Sequence, residues 1–342
     1  MELLRRLSET AGIPGREERV RELIQEELEG SVDEITTDAL GNLIAVKRAE
    51  PDGAQRVMLS AHMDEIGFYV KHVDERGFLR VQNVGGFDTR NLFARQVTVH
   101  ASLTGKDLIG VMNPAGKPVH IATLEERKKV PIMADFAIDL GMGEADVKEQ
   151  VRVGDMVTLR QPFADLGEVV TGKALDDRVS CWIQLKVLKA LSEPIFDVTA
   201  VFSVQEEVGL RSAITSAFQV APDIGIALDT TLAVDIPGVE EDQRVSELGK
   251  GTAIKVMDSR SISTRWLVEE FIRLAERHNI PYQLEVLPLG GTDAGAIQLS
   301  RQGVPSLTLS TPSRYVHTVT EMVAKQDLEA AVKLLTAYLR GD

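Results

Sequence analysis

The sequence predicts an α/β protein in which a mostly parallel sheet is flanked by helices and interrupted by a small all-β, barrel-like domain. From about residue 166 to the C-terminus, apolar runs of strand length alternate with segments of helical periodicity. Alternating strands and helices form a parallel sheet covered on both faces. Residues 68–165 differ, because short β-prone runs follow one another there without a long helical period. We therefore predict one domain from residues 1–67 and 166–342, with residues 68–165 inserted into it.

The N-terminal part predicts two helices, a hairpin and a buried strand. The helices lie within residues 1–30, and the segment Ala11-Gly12-Ile13-Pro14-Gly15 separates them because glycine and proline interrupt helices. Residues 33–47 alternate in the manner of a hairpin with a glycine turn. The apolar run Arg56–Ala61 predicts a buried strand, which ends at His62.

The inserted region predicts strands without long helices. Its runs are apolar or β-branched, and glycines or charged turns separate them. A series of short strands with frequent turns is typical of a small barrel or sandwich. The predicted strands are Gly67–Val73, Phe78–Val84, Gln96–Ala101, Leu108–Met112, Val130–Ile138 and Met156–Leu159.

The C-terminal part returns to alternating strands and helices. Its first helix, Asp176–Leu191, has an apolar face at helical spacing. A Gly-Gly-Thr-Asp turn at residues 290–293 leads into a later helix. The remaining predicted strands are 198–204, 224–229, 251–256, 283–287 and 304–310, and the remaining helices are 209–218, 263–277, 293–300 and 325–339.

The composition of the 342-residue chain excludes several classes of partner. Its net charge of −14 leaves no basic surface for phosphates, so we do not expect nucleic acid to bind. No apolar stretch approaches the ~20 residues of a membrane span. Cys181, the only cysteine, lies on the apolar face of a predicted helix, where we expect a buried structural thiol. With no signal-peptide pattern at the N-terminus, the expected location is the cytoplasm.

Side chains that bind metals follow three of the predicted strands. His62, the pair Glu206-Glu207 and Asp229 each stand at the end of a separate apolar run. In open α/β sheets, ligands bind in the crevice beyond the carboxyl ends of the strands. Asp176 opens a predicted helix, and His317 follows the strand 304–310 by a short loop. We therefore expect these side chains to meet at one edge of the sheet.

The chemistry of this set favours divalent metal ions. Two histidines and several carboxylates without a thiolate suit zinc, cobalt or manganese, and carboxylate-rich sets suit two ions that share one carboxylate. Asp64, two residues after His62, is placed to accept a hydrogen bond from the second ring nitrogen of that histidine. Asp177 is predicted to cap the helix that Asp176 opens, with a basic side chain as its partner.

Taken together, these motifs make the chain similar to the tetrahedral aminopeptidases of peptidase family M42, a group of dinuclear metallo-aminopeptidases that includes glutamyl and deblocking aminopeptidases. The similarity covers essentially the whole chain, and the motifs occur in the order of the family. They are Ala61–Gly67, Ala174–Arg178, Gln205–Arg211, Ala227–Asp229, Gly290–Ala294 and Arg314–Thr318.

The resemblance implies two divalent ions per subunit, zinc or cobalt and possibly manganese, and removal of the N-terminal residue from short peptides. It assigns His62 and Asp229 to one ion and Glu207 and His317 to the other, with Asp176 bridging both. It also implies that the inserted domain mediates dimerisation, and that dimers assemble into a twelve-subunit shell.

The catalytic roles also come from the resemblance. Glu206 would be the general base, and Asp64 would orient His62. Adjacent side chains at a strand end point to opposite sides, which would keep Glu206 free of the ions while Glu207 binds one. The substrate site would be lined by Gly291, Thr292 and Asp293.

The sequence departs from the family at two positions and leaves other functions open. Ser180 and Ser212 stand where glycine is usual in the family, and both are small and are not proposed ligands. The ligand set alone also fits a metal-dependent deacylase or a carboxypeptidase. A glucan hydrolase would need a carboxylate pair without metal, so its activity would survive EDTA. A binding protein would bind metal without hydrolysing any aminoacyl substrate.

Overall fold

A computed structural model describes residues 1–50 and 53–342 of the chain. The helices that it contains are α1 Glu2–Glu9, α2 Glu18–Leu28, α3 Leu124–Lys128, α4 Glu144–Lys148, α5 Leu175–Ala190, α6 Arg211–Val220, α7 Arg265–Arg277, α8 Asp293–Gln298 and α9 Lys325–Arg340. None of these helices has the length and the apolar character that crossing a lipid bilayer requires.

The strands fall into two sheets. Those of the first half are β1 Glu34–Thr37, β2 Leu43–Lys47, β3 Arg56–His62, β4 Gly67–Val73, β5 Leu79–Val84, β6 Arg95–Ala101, β7 Lys106–Pro114, β8 Phe136–Asp139 and β9 Met156–Leu159. The later ones are β10 Ala164–Asp165, β11 Val169–Gly172, β12 Asp197–Ser203, β13 Ile224–Leu232, β14 Thr252–Met257, β15 Tyr282–Val286, β16 Ser306–Arg314 and β17 Glu321–Ala324.

The larger sheet is parallel in its centre and antiparallel towards its edges. Its main path runs β1-β2-β12-β3-β13-β16-β17-β11-β10, and β14 and β15 extend it from β16. The pairs β12–β3, β3–β13 and β13–β16 are parallel, whereas β1, β2, β17, β11 and β10 pair antiparallel. Four central strands, β12, β3, β13 and β16, therefore end at the same edge, with Ser203 beside His62 in the register.

Apolar side chains cover both faces of this sheet. The main core lies against α1, α2, α5, α7 and α9, and it includes Phe202, Phe271 and Leu335. A smaller cluster with Val201 and Ile297 packs under α6 and α8 on the opposite face. Burial on both faces explains why the central strands are continuous apolar runs rather than alternating ones.

The second sheet is a closed antiparallel barrel in the order β4-β5-β8-β7-β6-β9. Its interior is an apolar cluster of its own, which includes Phe68, Val99 and Ile138. Closure leaves no unpaired strand edge. The barrel lies in the chain between β3, which ends at His62, and α5, which carries Asp176.

The predicted fold class is confirmed, with four differences in detail. The predicted strand Val130–Ile138 begins only at Phe136, because Met133–Asp135 form a 3-10 turn before it. The strand β16 continues to Arg314, through residues expected to form a loop before His317. The short strands β10, β11 and β17 were not predicted. Two one-turn helices, α3 and α4, lie in the region where only strands were expected. Each of these segments is too short to show the hydrophobic periodicity by which a strand or a helix is recognised in a sequence.

One buried arginine links the N-terminal segment to α5. Arg178 is fully buried, and its guanidinium donates to the carbonyl oxygens of Leu7 (2.5 Å), Thr10 (2.8 Å) and Gly12 (3.2 Å). Its Nε donates to the carbonyl oxygen of Met63 at 2.7 Å, immediately after His62. This arginine thus ties the start of the chain to the segment that carries a predicted ligand.

Arg178→Met is expected to destabilise the folded chain by about 3 kcal/mol or more, because several buried carbonyls lose their donors together. The free energy of unfolding in urea, at fixed protein concentration, measures the loss. Arg5→Met is the matched control, since Arg5 is half-exposed and pairs with an exposed Glu2. A control of this kind changes stability by about 0.5 kcal/mol or less. Equal effects of the two substitutions would contradict the linking role of Arg178.

Candidate metal centre

The carboxyl edge of the central strands brings the predicted ligands together. His62 ends β3, Asp229 lies in β13, and Glu207 follows β12. Asp176 lies at the start of α5, and His317 follows β16. His62, Asp176 and Asp229 are buried, whereas Glu207 and His317 are partly buried.

The ligands form two groups that share one residue. The side chains of His62, Asp176 and Asp229 each offer an atom within 4.8 Å of the others, and so do those of Asp176, Glu207 and His317. Asp176 Oδ1 lies 3.4 Å from His62 Nε2, and Asp176 Oδ2 lies 3.5 Å from His317 Nε2. Its two oxygens thus face the two histidines, one in each group.

The donor chemistry of both groups fits divalent metal ions. Each group combines one imidazole with two carboxylates, a set that suits zinc, cobalt or manganese. Asp176 Oδ1 is buried and has no hydrogen-bond partner among the described residues. Buried carboxylate oxygens without a partner are costly, and a cation removes that cost. The residues present therefore fit two ions.

Glu206 lies next to the groups without belonging to either. Its Oε2 is 3.9 Å from His62 Nε2. The expected alternation of Glu206 and Glu207 along a strand is wrong, because β12 ends at Ser203. Gln205 takes a left-handed backbone conformation with φ 58°, and both glutamates lie in the turn that follows. The turn, rather than a strand, gives the two side chains their different directions.

The carboxyl groups of the site are buried and lie close together, and both conditions shift pKa values. Burial raises the pKa of Glu206 well above its usual range, although the charge of His62 opposes the shift. Burial and the charge of Asp176 likewise raise the pKa of Asp229. Burial lowers the pKa of His317, but its contacts with Asp176 and Glu207 outweigh burial and raise it to about 12. The site thus favours positive charge.

The carboxylate of Asp64 holds the turn that carries Glu206 and Glu207 rather than the imidazole ring of His62. The ring Nδ1 of His62 lies 2.9 Å from the carbonyl oxygen of Asp64, whereas the Asp64 carboxylate is 3.6 Å away. The two carboxylate oxygens instead accept hydrogen bonds from the backbone N–H groups of Glu206 and Glu207, both at 3.1 Å. The predicted contact is therefore corrected: the backbone carbonyl orients the ring, and the side chain positions the glutamates.

Asp177 also differs from its prediction. Instead of a basic side chain, its carboxylate accepts a hydrogen bond from the backbone N–H of His62 at 3.2 Å. The predicted helix cap is absent, because the N-cap position of α5 is Ala174 and no side chain caps it. Asp177 is fully buried. The buried thiol of Cys181 donates to the carbonyl oxygen of His62 at 3.1 Å, in agreement with a structural role.

The Gly290–Ala294 turn approaches the site from the α8 side. Asp293 Oδ2 accepts hydrogen bonds from Ser60 (2.6 Å) and Ser203 (2.7 Å), which lie on the strands that lead to His62 and Glu206. Thr292 caps α8 and contacts the hydroxyl of Thr308 at 2.8 Å, and Gly291 packs against Arg260. The turn thus joins the edge of the site, and its role in binding substrate stays a prediction.

The two serines that replace glycine have different surroundings. Ser212 Oγ contacts the backbone N–H and C=O of Val204, just after the strand β12. Ser180 is fully buried in α5, and its hydroxyl has no hydrogen-bond partner among the described residues. Neither serine belongs to a ligand group.

Two buried glutamates near the site were not predicted. Glu17 accepts a hydrogen bond from the backbone N–H of Gln205 at 3.1 Å, and burial together with the charge of Asp64 raises its pKa to about 7. Glu321 contacts the backbone of two predicted ligands. The available signal was weak: Glu321 stands four residues after His317 and opens an apolar run.

Comparison with known proteins assigns the family. The family described as M42 glutamyl aminopeptidase matches residues 41–334. The chain belongs to the M42 aminopeptidases. It is therefore a hydrolase of the aminopeptidase class, and the family resemblance of the sequence motifs is confirmed.

Relatives of this M42 aminopeptidase match along nearly their whole length. A putative aminopeptidase of Acetivibrio thermocellus is 40% identical, with 98% of this chain and 96% of the relative covered. The lysyl aminopeptidase of Pyrococcus furiosus is 32% identical, with 99% and 96% covered.

Solved structures share the fold. An aminopeptidase from the archaeon Desulfurococcus kamchatkensis is 38% identical, with a TM-score of 0.94 over 100% of this chain and 94% of the other. The TET1 peptidase of Pyrococcus horikoshii, described as able to assemble into a tetrahedron or a large octahedral shell, is 35% identical with a TM-score of 0.87 over 99% and 98%. A Thermotoga maritima protein described as an endoglucanase is 31% identical, with a TM-score of 0.81 over 99% and 96%.

Proposed function

We propose that this M42 aminopeptidase uses two divalent metal ions to hydrolyse the peptide bond after the first residue of short peptides. The observation that carries the proposal is the position of Asp176, whose two oxygens face His62 and His317. His62 and Asp229 would complete one ion site, and Glu207 and His317 the other. When bound, two such ions supply Lewis acidity that lowers the pKa of water and polarises a carbonyl.

Within this mechanism Glu206 takes the proton of the attacking water and passes it to the leaving amine. Its position 3.9 Å from His62 Nε2 and outside both ligand groups supports that role. Asp64 keeps Glu206 and Glu207 at fixed distances by accepting their backbone N–H groups. Acidic side chains that are left over at the site would anchor the free α-amine of the substrate, which selects for an exopeptidase.

The test is hydrolysis of aminoacyl-p-nitroanilides of leucine, glutamate, lysine and alanine, before and after dialysis against EDTA. Activity is expected to disappear with EDTA and to return with zinc, cobalt or manganese, because the ligand groups have no other source of Lewis acidity. The ion that restores the highest rate identifies the preferred metal, and the aminoacyl group that is cleaved fastest identifies the preferred N-terminal residue.

Other results would direct the assignment elsewhere. Cleavage of acylated peptides but not of free N-termini would indicate a deacylase, and release of C-terminal residues a carboxypeptidase. Glucan hydrolysis that continues in EDTA would instead indicate a glucan hydrolase, the activity named in the description of the Thermotoga maritima protein. Unchanged aminopeptidase activity in EDTA would refute the dinuclear mechanism.

We also propose that residues 68–165 form a dimerisation domain and that dimers assemble into a closed shell. Support comes from the segment between β7 and β8, which exposes large apolar side chains. An exposed apolar surface of this kind marks an interaction site. These side chains are Val119, Ile121, Leu124, Val130 and Ile132. The TET1 peptidase of Pyrococcus horikoshii supplies the precedent for a shell.

A further inference from the structure

Glu321 joins two parts of the metal centre that the chain brings from different directions. It is the first residue of β17 and only 2% exposed. Its Oε2 accepts a hydrogen bond from the backbone N–H of Asp176 at 3.0 Å, and its Oε1 accepts one from that of His317 at 2.9 Å. The register places Glu321 opposite Gly172 of β11, four residues before Asp176. One carboxylate thus holds two predicted ligands.

Neither of these ligands is fixed by regular secondary structure. Asp176 has φ −77° and ψ 106°, which are not helical angles, although it lies within the range of α5. His317 and Tyr315 have left-handed backbones with φ 61° and 60°. Non-glycine residues in that conformation are strained and persist only when their surroundings hold them. The carboxylate of Glu321 accepts hydrogen bonds from the backbone N–H groups of both Asp176 and His317.

We propose that Glu321 is a positioning residue that sets the affinity of the ion site formed by Asp176, Glu207 and His317. The inference rests on the proposed dinuclear function. Glu321 belongs to neither ligand group, so it acts through the backbones of Asp176 and His317. Charge-assisted hydrogen bonds are about twice as strong as neutral ones. Loss of groups that orient ligands typically lowers metal affinity by about 10- to 100-fold.

The effect is expected to fall mainly on one of the two ions. His62 is held by other contacts, since its N–H donates to Asp177 and its ring contacts the carbonyl oxygen of Asp64. Asp229 lies within β13, where sheet pairing fixes its backbone. Asp176 belongs to both ligand groups, whereas His317 belongs to one of them only. The other ion therefore retains two ligands that do not depend on Glu321.

Two substitutions distinguish the effect of the two hydrogen bonds of Glu321 from the effect of its negative charge. Glu321→Gln keeps the size but places an amide NH₂ against a backbone N–H, so one of the two hydrogen bonds is lost. Glu321→Asp keeps the charge but is one methylene too short to span both N–H groups. Asp327→Asn is the matched control, because Asp327 is buried and accepts hydrogen bonds from the backbone of Gly249 and Gly251 at 2.8 Å, neither of which is a ligand.

The experiment titrates zinc and cobalt into the metal-free full-length chain by calorimetry against a competing chelator, with the wild type and His317→Ala as references. Glu321→Gln and Glu321→Asp are each expected to weaken by about 10- to 100-fold the same ion that His317→Ala weakens. The other ion should be weakened by a smaller factor, because only one of its ligands contacts Glu321. Both ions should keep the wild-type affinity in Asp327→Asn. Circular dichroism and the oligomeric mass check folding. If Glu321→Gln does not fold, Glu321→Asp carries the test.

Three outcomes would overturn the assignment. Wild-type affinity for both ions in Glu321→Gln would show that the contacts do not matter. Wild-type behaviour of Glu321→Asp beside a weakened Glu321→Gln would show that only the charge acts. Equal weakening of both ions, or of the ion that His317→Ala spares, would show a general effect on the site. A wild-type chain that binds fewer than two ions would instead refute the dinuclear function, and this inference with it.

Discussion

Glu206→Gln is expected to lower kcat by about 10²- to 10⁴-fold while the chain keeps both metal ions, because positioned proton transfer is worth that much. The glutamine retains the size and the backbone contacts of Glu206, including the hydrogen bond of its N–H to Asp64. It cannot take a proton from water. Steady-state kinetics on the preferred aminoacyl-p-nitroanilide, together with metal analysis of the same sample, measure both quantities.

Glu269→Gln is the matched control for this substitution. Glu269 is exposed on α7 and pairs with Arg265 on the same helix, so its loss is expected to leave kcat unchanged. A Glu206→Gln protein that lost an ion would show that Glu206 is a ligand instead of a base. Nearly wild-type turnover with both ions bound would remove Glu206 from the mechanism altogether.

Asp176→Asn is expected to weaken both ions, by more than the roughly 100-fold that loss of an orienting residue causes. Asp176 is the residue that the two ligand groups share, and it contacts both histidines. An amide presents one oxygen instead of two and carries no charge. Metal content after gel filtration, followed by titration with zinc, measures the loss.

Asp229→Asn and Glu207→Gln provide the comparison, since each belongs to one group only. Each is expected to weaken one ion and to leave the other in place. If Asp176→Asn retained one ion with wild-type affinity, Asp176 would not bridge. If all three variants lost both ions, the two sites would be inseparable, and the assignment of ligands to separate ions would fail.

Much of the fold was predictable from hydrophobic patterning. Central strands such as β3 and β13 are buried on both faces, and a continuous apolar run in the sequence indicates such burial. Strands at the antiparallel edge are different. β10 has two residues and β17 has four, which is too few to establish a period. Their place is set by pairing with distant strands, and single-segment patterns do not contain that information.

The clustering of the candidate ligands was predictable because their position in the fold is simple. His62 and Asp229 stand at the ends of apolar strands, and parallel strands bring their carboxyl ends to one edge. The contacts that hold the ligands were less predictable. Gln205 turns into a left-handed conformation, and this redirects the following N–H groups towards Asp64. A local sequence pattern does not reveal which distant carboxylate accepts a backbone N–H.

The order of the ligands along the chain has a consequence for how the enzyme is made. His62 lies before the barrel, whereas His317 comes near the end of the sequence, after every strand of the large sheet except β17. A growing chain that has not yet reached residue 317 lacks one imidazole of the pair. Domains fold as units during synthesis, so the barrel is ready long before the ligands meet. Metal binding is coupled to folding. Uptake of both proposed ions would therefore require a chain that has been synthesised at least as far as His317.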